Sequence, residues 1–204
     1  MKETPWGLWD PLSPPALADV LTELDAPWWI AGGYALEAFA THSWREHDDI
    51  DAALTRANQA TLRNALANWD VHVADPPGTL RPWPLGELLQ PTVHDIWVRR
   101  DDRGPWKFQL MLDEQDGNDW VFRRDARIRM PIERLTWQRD DGLRFVQPEV
   151  QLLYKSRGRR PKDEVDFRVV LPLLEPGRRD WLASALQLTD PQNPWLAAIR
   201  TLQR

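Results

Sequence analysis

The sequence contains no cysteine. This absence excludes disulfide bonds and thiolate catalysis, and it removes the commonest ligands of structural zinc. No apolar run approaches the roughly 18 residues that a membrane-spanning helix needs. The first residues also lack the basic start and the apolar stretch of a secretory signal. We therefore expect a cytoplasmic protein with no membrane partner.

An excess of positive charge is also absent. The chain has 26 Lys and Arg against 31 Asp and Glu, for a formal net charge of -5. Dedicated nucleic-acid-binding proteins usually present a basic surface instead. The one local exception is a basic run, Lys155-Ser156-Arg157-Gly158-Arg159-Arg160-Pro161-Lys162. The composition thus favours a small-molecule partner over nucleic acid, without excluding RNA.

What the chain does have is enough apolar material for a core. Hydrophobic residues make up 42% of its 204 residues and charged residues 28%, which is typical of a globular protein. Tryptophan is abundant, with 13 residues, and we expect most of these rings to pack in the core or at interfaces. The length fits one domain, or a core with a helical extension.

Strand-like and helix-like patterns alternate in the first part of the chain, and helical patterns alone follow. Strands are predicted at 28–31, 50–54, 71–73, 92–99, 106–112, 120–123 and 142–146. Helices are predicted at 15–25, 34–40, 58–69, 148–156, 161–173, 177–187 and 194–202. The Pro- and Gly-rich stretch 75–91 is predicted to be a long loop. This order predicts an α/β (α+β) core over 1–147 and a C-terminal helical region over 148–204, packed on the core.

Two adjacent glycines, Gly32 and Gly33, lie between a predicted strand and a predicted helix. Glycine allows a positive φ and lets a bulky anion approach the backbone. The N-terminus of the following helix presents unpaired N–H groups and a partial positive charge to such an anion. The pair could cradle a triphosphate, although a Gly-Gly turn by itself is more often only a turn.

Two carboxylates, Asp49 and Asp51, come at the start of the next predicted strand. Residues i and i+2 of a strand point to the same face, so these side chains are expected to lie side by side. Such a pair repels itself unless a cation sits between the carboxylates, and Mg²⁺ commonly uses one or two carboxylates plus substrate phosphates. The alternative is an acidic edge strand facing solvent. The upstream glycines favour the metal site.

Together, Gly32-Gly33-Tyr34-Ala35-Leu36 and His47-Asp48-Asp49-Ile50-Asp51 resemble the nucleotidyltransferase superfamily that includes DNA polymerase beta. Within it, they are most similar to the small aminoglycoside and lincosamide adenylyltransferases. The resemblance covers roughly 28–175. It implies a mixed, twisted sheet flanked by helices, with Asp49 and Asp51 as magnesium ligands.

The resemblance extends to the segments Pro148–Lys155 and Pro161–Phe167. It implies that Gly32, Gly33, Lys155 and Asp163 contact the nucleotide. A lysine on a helix can supply a point charge to a triphosphate. Asp163 and Asp166 share one helical face, and either could instead anchor Lys or Arg side chains of the basic run.

The third carboxylate that such enzymes usually carry is not in its expected place. The candidate strand reads Phe108-Gln109-Leu110-Met111-Leu112-Asp113-Glu114, and the aligned position is Gln109, which cannot act as a base. Asp113 shares its face but lies about 13 Å further along, at roughly 3.3 Å per residue. Glu114 could turn inwards at the end of the strand. Asp113 and Glu114 are therefore the candidate bases.

These features predict a magnesium-dependent enzyme that moves a nucleoside monophosphate, expected to be AMP from ATP, to a hydroxyl of a small-molecule antibiotic. One alternative is a toxin-like transferase acting on tRNA or protein, with Arg157, Arg159, Arg160 and Lys162 as the acceptor-binding patch. Another is a catalytically silent nucleotide-binding module, which the Gln109 position makes conceivable. The acceptor, the preferred nucleotide and the oligomeric state stay open.

Overall fold

A computed structural model describes residues 1–202 of the chain. Within them, the strands are β1 Lys2–Thr4, β2 Gly7–Trp9, β3 Trp28–Ile30, β4 Asp51–Thr55, β5 Asp70–Ala74, β6 Leu80–Pro82, β7 Asp95–Arg99, β8 Trp106–Asp116, β9 Asp119–Val121, β10 Arg129–Pro131, β11 Thr136–Gln138 and β12 Arg144–Val146. The α-helices are α1 Pro14–Val20, α2 Gly32–Ala40, α3 Gln59–Ala65, α4 Pro148–Lys155, α5 Pro161–Val170, α6 Pro176–Thr189 and α7 Trp195–Leu202. Single 3₁₀ turns cover Arg56–Asn58, Ile132–Arg134 and Leu171–Leu173.

The main sheet is mixed, with the strand order β11-β12-β3-β4-β8-β7-β5-β6. The β4–β8 and β12–β3 pairs are parallel, and the other neighbours in this order are antiparallel. The short β2 adds to β8 in parallel, and the β9–β10 hairpin pairs with the far end of β8. The long β8 therefore stands at the centre of the fold.

The two faces of the sheet bury separate apolar cores. Alternation along β4 sends Ala52 and Leu54 into one core with α1 and α3, and Ala53 into the other with α2 and α4–α7. Residues from the predicted C-terminal region share this second core with β3 and β12. Because Asp51 lies two residues from Ala53, its side chain lies on the face covered by the C-terminal helices. That face carries the candidate site.

The predicted α/β architecture is confirmed, and the elements described from Pro148 onward are all helical. Six tryptophans are buried, as their packing role predicts: Trp9, Trp29, Trp83, Trp106, Trp120 and Trp195. Gln203 and Arg204, the last two residues of the predicted region 148–204, lie outside the described residues. Among residues 1–202, no helix combines the length and the apolarity that crossing a bilayer requires.

Several element bounds differ from prediction. The helix predicted from Tyr34 begins at Gly32, and the helix predicted to reach residue 25 ends at Val20. The predicted loop 75–91 contains the edge strand β6, where a terminal Pro82 is tolerated because an edge strand leaves one side unpaired. Strands β1, β2, β10 and β11 were not predicted. They are only three residues long and have no periodic pattern to detect.

Candidate active site

A cleft of about 470 Å³ opens on the face of the sheet that carries α2 and the C-terminal helices. Its floor is built from β4, β8 and β7, and its walls from the N-terminus of α2, the end of α4 and the start of α5. Asp49, Asp51, Gly32, Gly33 and Lys155 all line it. The fold thus brings together motifs that are more than 100 residues apart in the sequence.

Gly32 fits where no other residue would. Its φ is +68°, and a Cβ at this position would overlap the Oδ2 atom of Asp51. At Gly33, a Cβ would overlap the side chains of Arg45 and His47. The two glycines therefore let the Asp51 carboxylate and the 45–47 segment lie directly against the first turn of α2.

Part of the predicted anion cradle is already occupied. The Gly32 N–H donates to Gln151 Oε1 at 2.8 Å, so this amide is satisfied within the protein. The first N–H groups of a helix have no intrahelical partner, and the next ones along α2 belong to Gly33 and Tyr34. These two amides and the helix dipole are what this turn can offer to a phosphate.

The carboxylates of Asp49 and Asp51 line the same cleft, although Asp49 precedes β4 instead of lying within it. Burial, followed by the neighbouring charge of Asp49, raises the pKa of Asp51. A bound cation removes both penalties, because it replaces lost hydration and screens the repulsion between the carboxylates. The pair is therefore suited to holding a divalent metal.

A compact network holds the segment that carries Asp49. His47 Nε2 lies 2.9 Å from Glu37 Oε2 on α2, and the imidazole stacks on Tyr34 with ring centroids 4.1 Å apart. The other Glu37 oxygen accepts the backbone N–H groups of Trp44 and Arg45. His47 thus ties the segment that precedes Asp49 to α2.

Lys155, predicted to contact the nucleotide, is buried in an ion-pair cluster. Its Nζ atom lies 3.0 Å from Asp163 Oδ1 and 2.9 Å from Asp166 Oδ2. Arg160 also pairs with Asp163, and Arg45 pairs with Asp166. Both aspartates therefore anchor cations, which is the alternative that the sequence left open for them. Asp163 lines the cleft, but its contacts are with Lys155 and Arg160.

Lys162 is a cation of a different kind. It lines the cleft at the start of α5, and its charge acts on both Asp48 and Asp51. No carboxylate of residues 1–202 lies within ion-pair distance of it. An ammonium group that lines the cleft without an ion-pair partner among the described residues is well placed to meet an incoming triphosphate.

The register of the sheet fixes the position of each candidate base. Gln109 pairs directly with Asp51 across β4 and β8, as the predicted alignment requires. Asp113 lines the cleft, but it is 6% exposed and accepts a 2.7 Å hydrogen bond from the Tyr154 hydroxyl. Glu114 points away from the cleft and forms an ion pair with Arg56. The structure therefore does not bring Glu114 to the site.

Asp95 is the cleft residue that the sequence analysis missed. It begins β7 and pairs with Met111 on β8, and its side chain lines the cleft. The alternation of β7 puts Asp95 and Trp97 on one face, but only the β7–β8 register shows that this face meets Asp51. Arg45 and Gln151 were missed for the same reason, because they reach the site through tertiary contacts.

Asp113 offers a stability prediction. Burial raises its pKa to about 6, against the opposing hydrogen bond from Tyr154. The folded protein therefore favours protonated Asp113. The contribution of this proton to the free energy of unfolding is fully present below about pH 4 and is lost as the pH rises through about 6. Asp113→Asn keeps an acceptor for Tyr154 and removes the buried charge. It should stabilise the protein by up to about 3 kcal/mol above pH 6.

Urea unfolding at pH 5 and pH 7.5 measures this effect, with the larger gain expected at pH 7.5. Asp116→Asn, an exposed carboxylate at the end of the same strand, is the matched control and should show no such pH dependence. A lower stability of Asp113→Asn at both pH values would mean that the carboxylate is stabilised in the fold.

Comparisons with known proteins agree with this geometry. A family model described as aminoglycoside-2''-adenylyltransferase matches residues 15–75, the segment that contains both the glycine turn and the Asp49–Asp51 pair. Among curated proteins, no significant sequence match is found.

Solved structures share the fold at low identity. The lincosamide antibiotic adenylyltransferase LnuA, bound to lincomycin, has a TM-score of 0.51 at 14% identity, covering 76% of this chain and 92% of that one. ANT(2'')-Ia in complex with adenylyl-2''-tobramycin has a TM-score of 0.54 at 15% identity, covering 94% and 98%. A solution structure of ANT(2'')-Ia gives 0.53 at 14%, covering 92% of each.

These findings confirm the resemblance predicted from the motifs and indicate a nucleotidyltransferase. The chain has the fold of the antibiotic adenylyltransferases, and its glycine and aspartate motifs lie in the segment that matches the aminoglycoside-2''-adenylyltransferase model.

Proposed function

We propose that the protein is a metal-dependent nucleotidyltransferase. It moves a nucleoside monophosphate, AMP in our proposal, from a nucleoside triphosphate to a hydroxyl group of a small molecule such as an aminoglycoside or a lincosamide. The observation that carries the proposal is the packing of the Asp51 carboxylate against Gly32 at the start of α2, with Asp49 in the same cleft.

The residues present fit a magnesium ion that arrives with its nucleotide. Within residues 1–202, no three His, Asp or Glu side chains converge to hold a metal by themselves. Two carboxylates plus substrate phosphates are, however, a common magnesium environment. Asp49 and Asp51 would hold the ion, which neutralises charge on the phosphates during transfer.

The protein would hold the triphosphate through several groups. The N–H groups of Gly33 and Tyr34 lie at the start of α2, and Lys162 supplies a charge that no carboxylate of the described residues, 1–202, neutralises. Lys155 stays in the proposal as a positive charge on the cleft wall, fixed in place by Asp163 and Asp166. Asp163 thus acts on the nucleotide only through Lys155 and Arg160.

The choice of a small-molecule acceptor rests on the state of the basic run. Lys155 is buried against Asp163 and Asp166, and the guanidinium of Arg160, although its side chain is 60% exposed, is paired with Asp163. Of that run, only Arg157, Arg159 and Lys162 have no ion-pair partner among residues 1–202. These are few cations for binding tRNA, because protein–RNA complexes draw much of their binding free energy from contacts between cations and phosphates. Relatives in fold bind lincomycin and an adenylylated tobramycin.

Two measurements test the proposal. Isothermal titration of ATP with Mg²⁺ should show binding by the wild type, and the double variant Asp49→Asn, Asp51→Asn should show none. Asp48→Asn is the matched control, since Asp48 belongs to the same acidic string but is exposed and pairs with Lys2. Equal MgATP binding by all three proteins would contradict the assignment of Asp49 and Asp51 as metal ligands.

Turnover is tested by pyrophosphate release. The wild type is incubated with Mg²⁺ and each of ATP, CTP, GTP and UTP, together with tobramycin, lincomycin or tRNA. Pyrophosphate release with an antibiotic and not with tRNA is the expected result. Release with tRNA alone would favour the toxin-like alternative, and binding without any release would favour a silent nucleotide-binding module.

A further inference from the structure

The proposed reaction needs a group that removes the proton of the acceptor hydroxyl. A carboxylate directly beside Asp51 would serve, but the residue paired with Asp51 on β8 is Gln109. An amide side chain cannot accept a proton at neutral pH. The base must therefore come from elsewhere in the cleft.

Neither candidate from the sequence fits this task well. Glu114 is held outside the cleft by Arg56, with Arg56 Nε 2.7 Å from Glu114 Oε1. Asp113 pairs with Thr55, four residues along β4 from Asp51, and one of its oxygens already accepts from the Tyr154 hydroxyl. Its low exposure, 6%, also leaves little room for an acceptor to reach it.

Asp95 has the access that Asp113 lacks. It lines the cleft, is only partly buried, and takes part in no ion pair with residues 1–202. The register places it one strand beyond β8, opposite Met111, which in turn lies opposite Ala53 on β4. Its Cα is therefore two strand spacings across and two residues along from that of Asp51, roughly 12 Å away. Asp113 is roughly 14 Å away by the same reasoning.

This separation suits an acceptor placed between the two carboxylates. Both side chains project from the same face of the sheet into the cleft, and the gap between them can accommodate a metal-bound phosphate on the Asp51 side and a hydroxyl on the Asp95 side. Between them on β8, Gln109 and Met111 form an uncharged floor. We propose, on the basis of the proposed function, that Asp95 is the general base and replaces the carboxylate that is missing at Gln109.

The step balances as follows. The Asp95 carboxylate accepts the proton of the acceptor hydroxyl. At the same time, the oxygen of that hydroxyl forms a bond to the α-phosphorus of the nucleoside triphosphate. The bond from that phosphorus to the bridging oxygen of the β-phosphate breaks, and pyrophosphate leaves with its electron pair. Asp95 then returns the proton to solvent. Asp49 and Asp51 would hold the divalent ion that neutralises the phosphates.

The test compares Asp95→Asn with wild type in the presence of MgATP. The acceptor is the compound of the panel above that gives pyrophosphate release with the wild type, or water if no compound of the panel gives release. We expect MgATP affinity within about twofold of wild type by titration calorimetry. Pyrophosphate release should fall by about 10²- to 10⁴-fold, the usual contribution of general base catalysis. Asp116→Asn should match wild type in both measurements.

Two outcomes would overturn the assignment. If Asp95→Asn keeps wild-type turnover, another group takes the proton. If MgATP affinity falls together with turnover, Asp95 binds the metal or nucleotide instead. Failure of the proposed function looks different, since the wild type itself then releases no pyrophosphate, and the assignment falls with it.

Discussion

Gly32→Ala is expected to abolish MgATP binding and to destabilise the protein. A non-glycine residue at φ +68° costs about 1–2 kcal/mol, because its Cβ crowds the backbone. The larger effect is local, since the new Cβ would overlap the Asp51 carboxylate and push it out of the cleft. A displacement of about 1 Å in a reacting site can lower the rate about 100-fold. We expect at least this loss in pyrophosphate release.

Calorimetric titration of MgATP and urea unfolding measure the two effects separately. Gly177→Ala is the matched control, because Gly177 lies in the first turn of α6 without a positive φ, and a Cβ added there would meet no atom within 4 Å. It should bind MgATP like wild type and be at least as stable, since alanine is the better helix former. Wild-type MgATP affinity in Gly32→Ala would show that Asp51 can move aside without loss, against the metal-site geometry.

The parts of the site that the sequence predicts are those set by local patterns. Gly32-Gly33 and Asp49–Asp51 flank one helix, and strand alternation alone orients Asp51. The alignment of Gln109 with the usual third carboxylate rests instead on the family resemblance, because alternation puts Gln109, Met111 and Asp113 on one face without choosing among them. The structure places Gln109 opposite Asp51, as that alignment requires.

The rest depends on contacts between distant segments, which a pattern in one segment does not encode. Asp95 joins the cleft because β7 pairs with β8 in one particular register. Gln151 reaches Gly32 from α4, across 119 residues of chain. Likewise, the sequence shows that Asp163 and Asp166 share a helical face, but it does not show which cations they meet. The ion pairs of Lys155 with Asp163 and Asp166 neutralise its charge, so Lys155 is a weaker candidate for binding the triphosphate than the sequence predicts.

Asp166 connects the parts of the site that no local pattern links. Its carboxylate, fully buried, accepts Trp44 Nε1 and Arg45 Nε at 2.9 Å, and Lys155 Nζ lies 2.9 Å from its other oxygen. It therefore joins the segment before Asp49 to α4 and α5. Burial would raise the pKa of Asp166, but hydrogen bonds from Arg45, reinforced by Lys155, outweigh it and hold the pKa below its ordinary value.

Asp166→Asn should accordingly destabilise the protein by about 3–5 kcal/mol, the usual effect of removing one partner from a buried ion pair. The amide keeps the shape of the side chain but turns an NH₂ group towards Arg45 or Lys155, each of which is already a donor. Because the folded pKa of Asp166 is lowered, its contribution is present above the ordinary Asp pKa of about 3.9 and is lost as the pH falls through the folded value. The difference between variant and wild type should therefore be full at pH 7 and shrink below pH 4.

Urea unfolding across this pH range measures the difference. Asp141→Asn is the control, because Asp141 forms an exposed ion pair with Arg139, and its unfolding midpoint should barely move. Arg45, released from Asp166, would also hold the segment before Asp49 less firmly, so MgATP binding by Asp166→Asn should weaken even where the variant is folded. If the variant were as stable as wild type and bound MgATP equally well, then Glu37 and His47 alone would suffice to position Asp49, and the Asp166 cluster would have no part in the site.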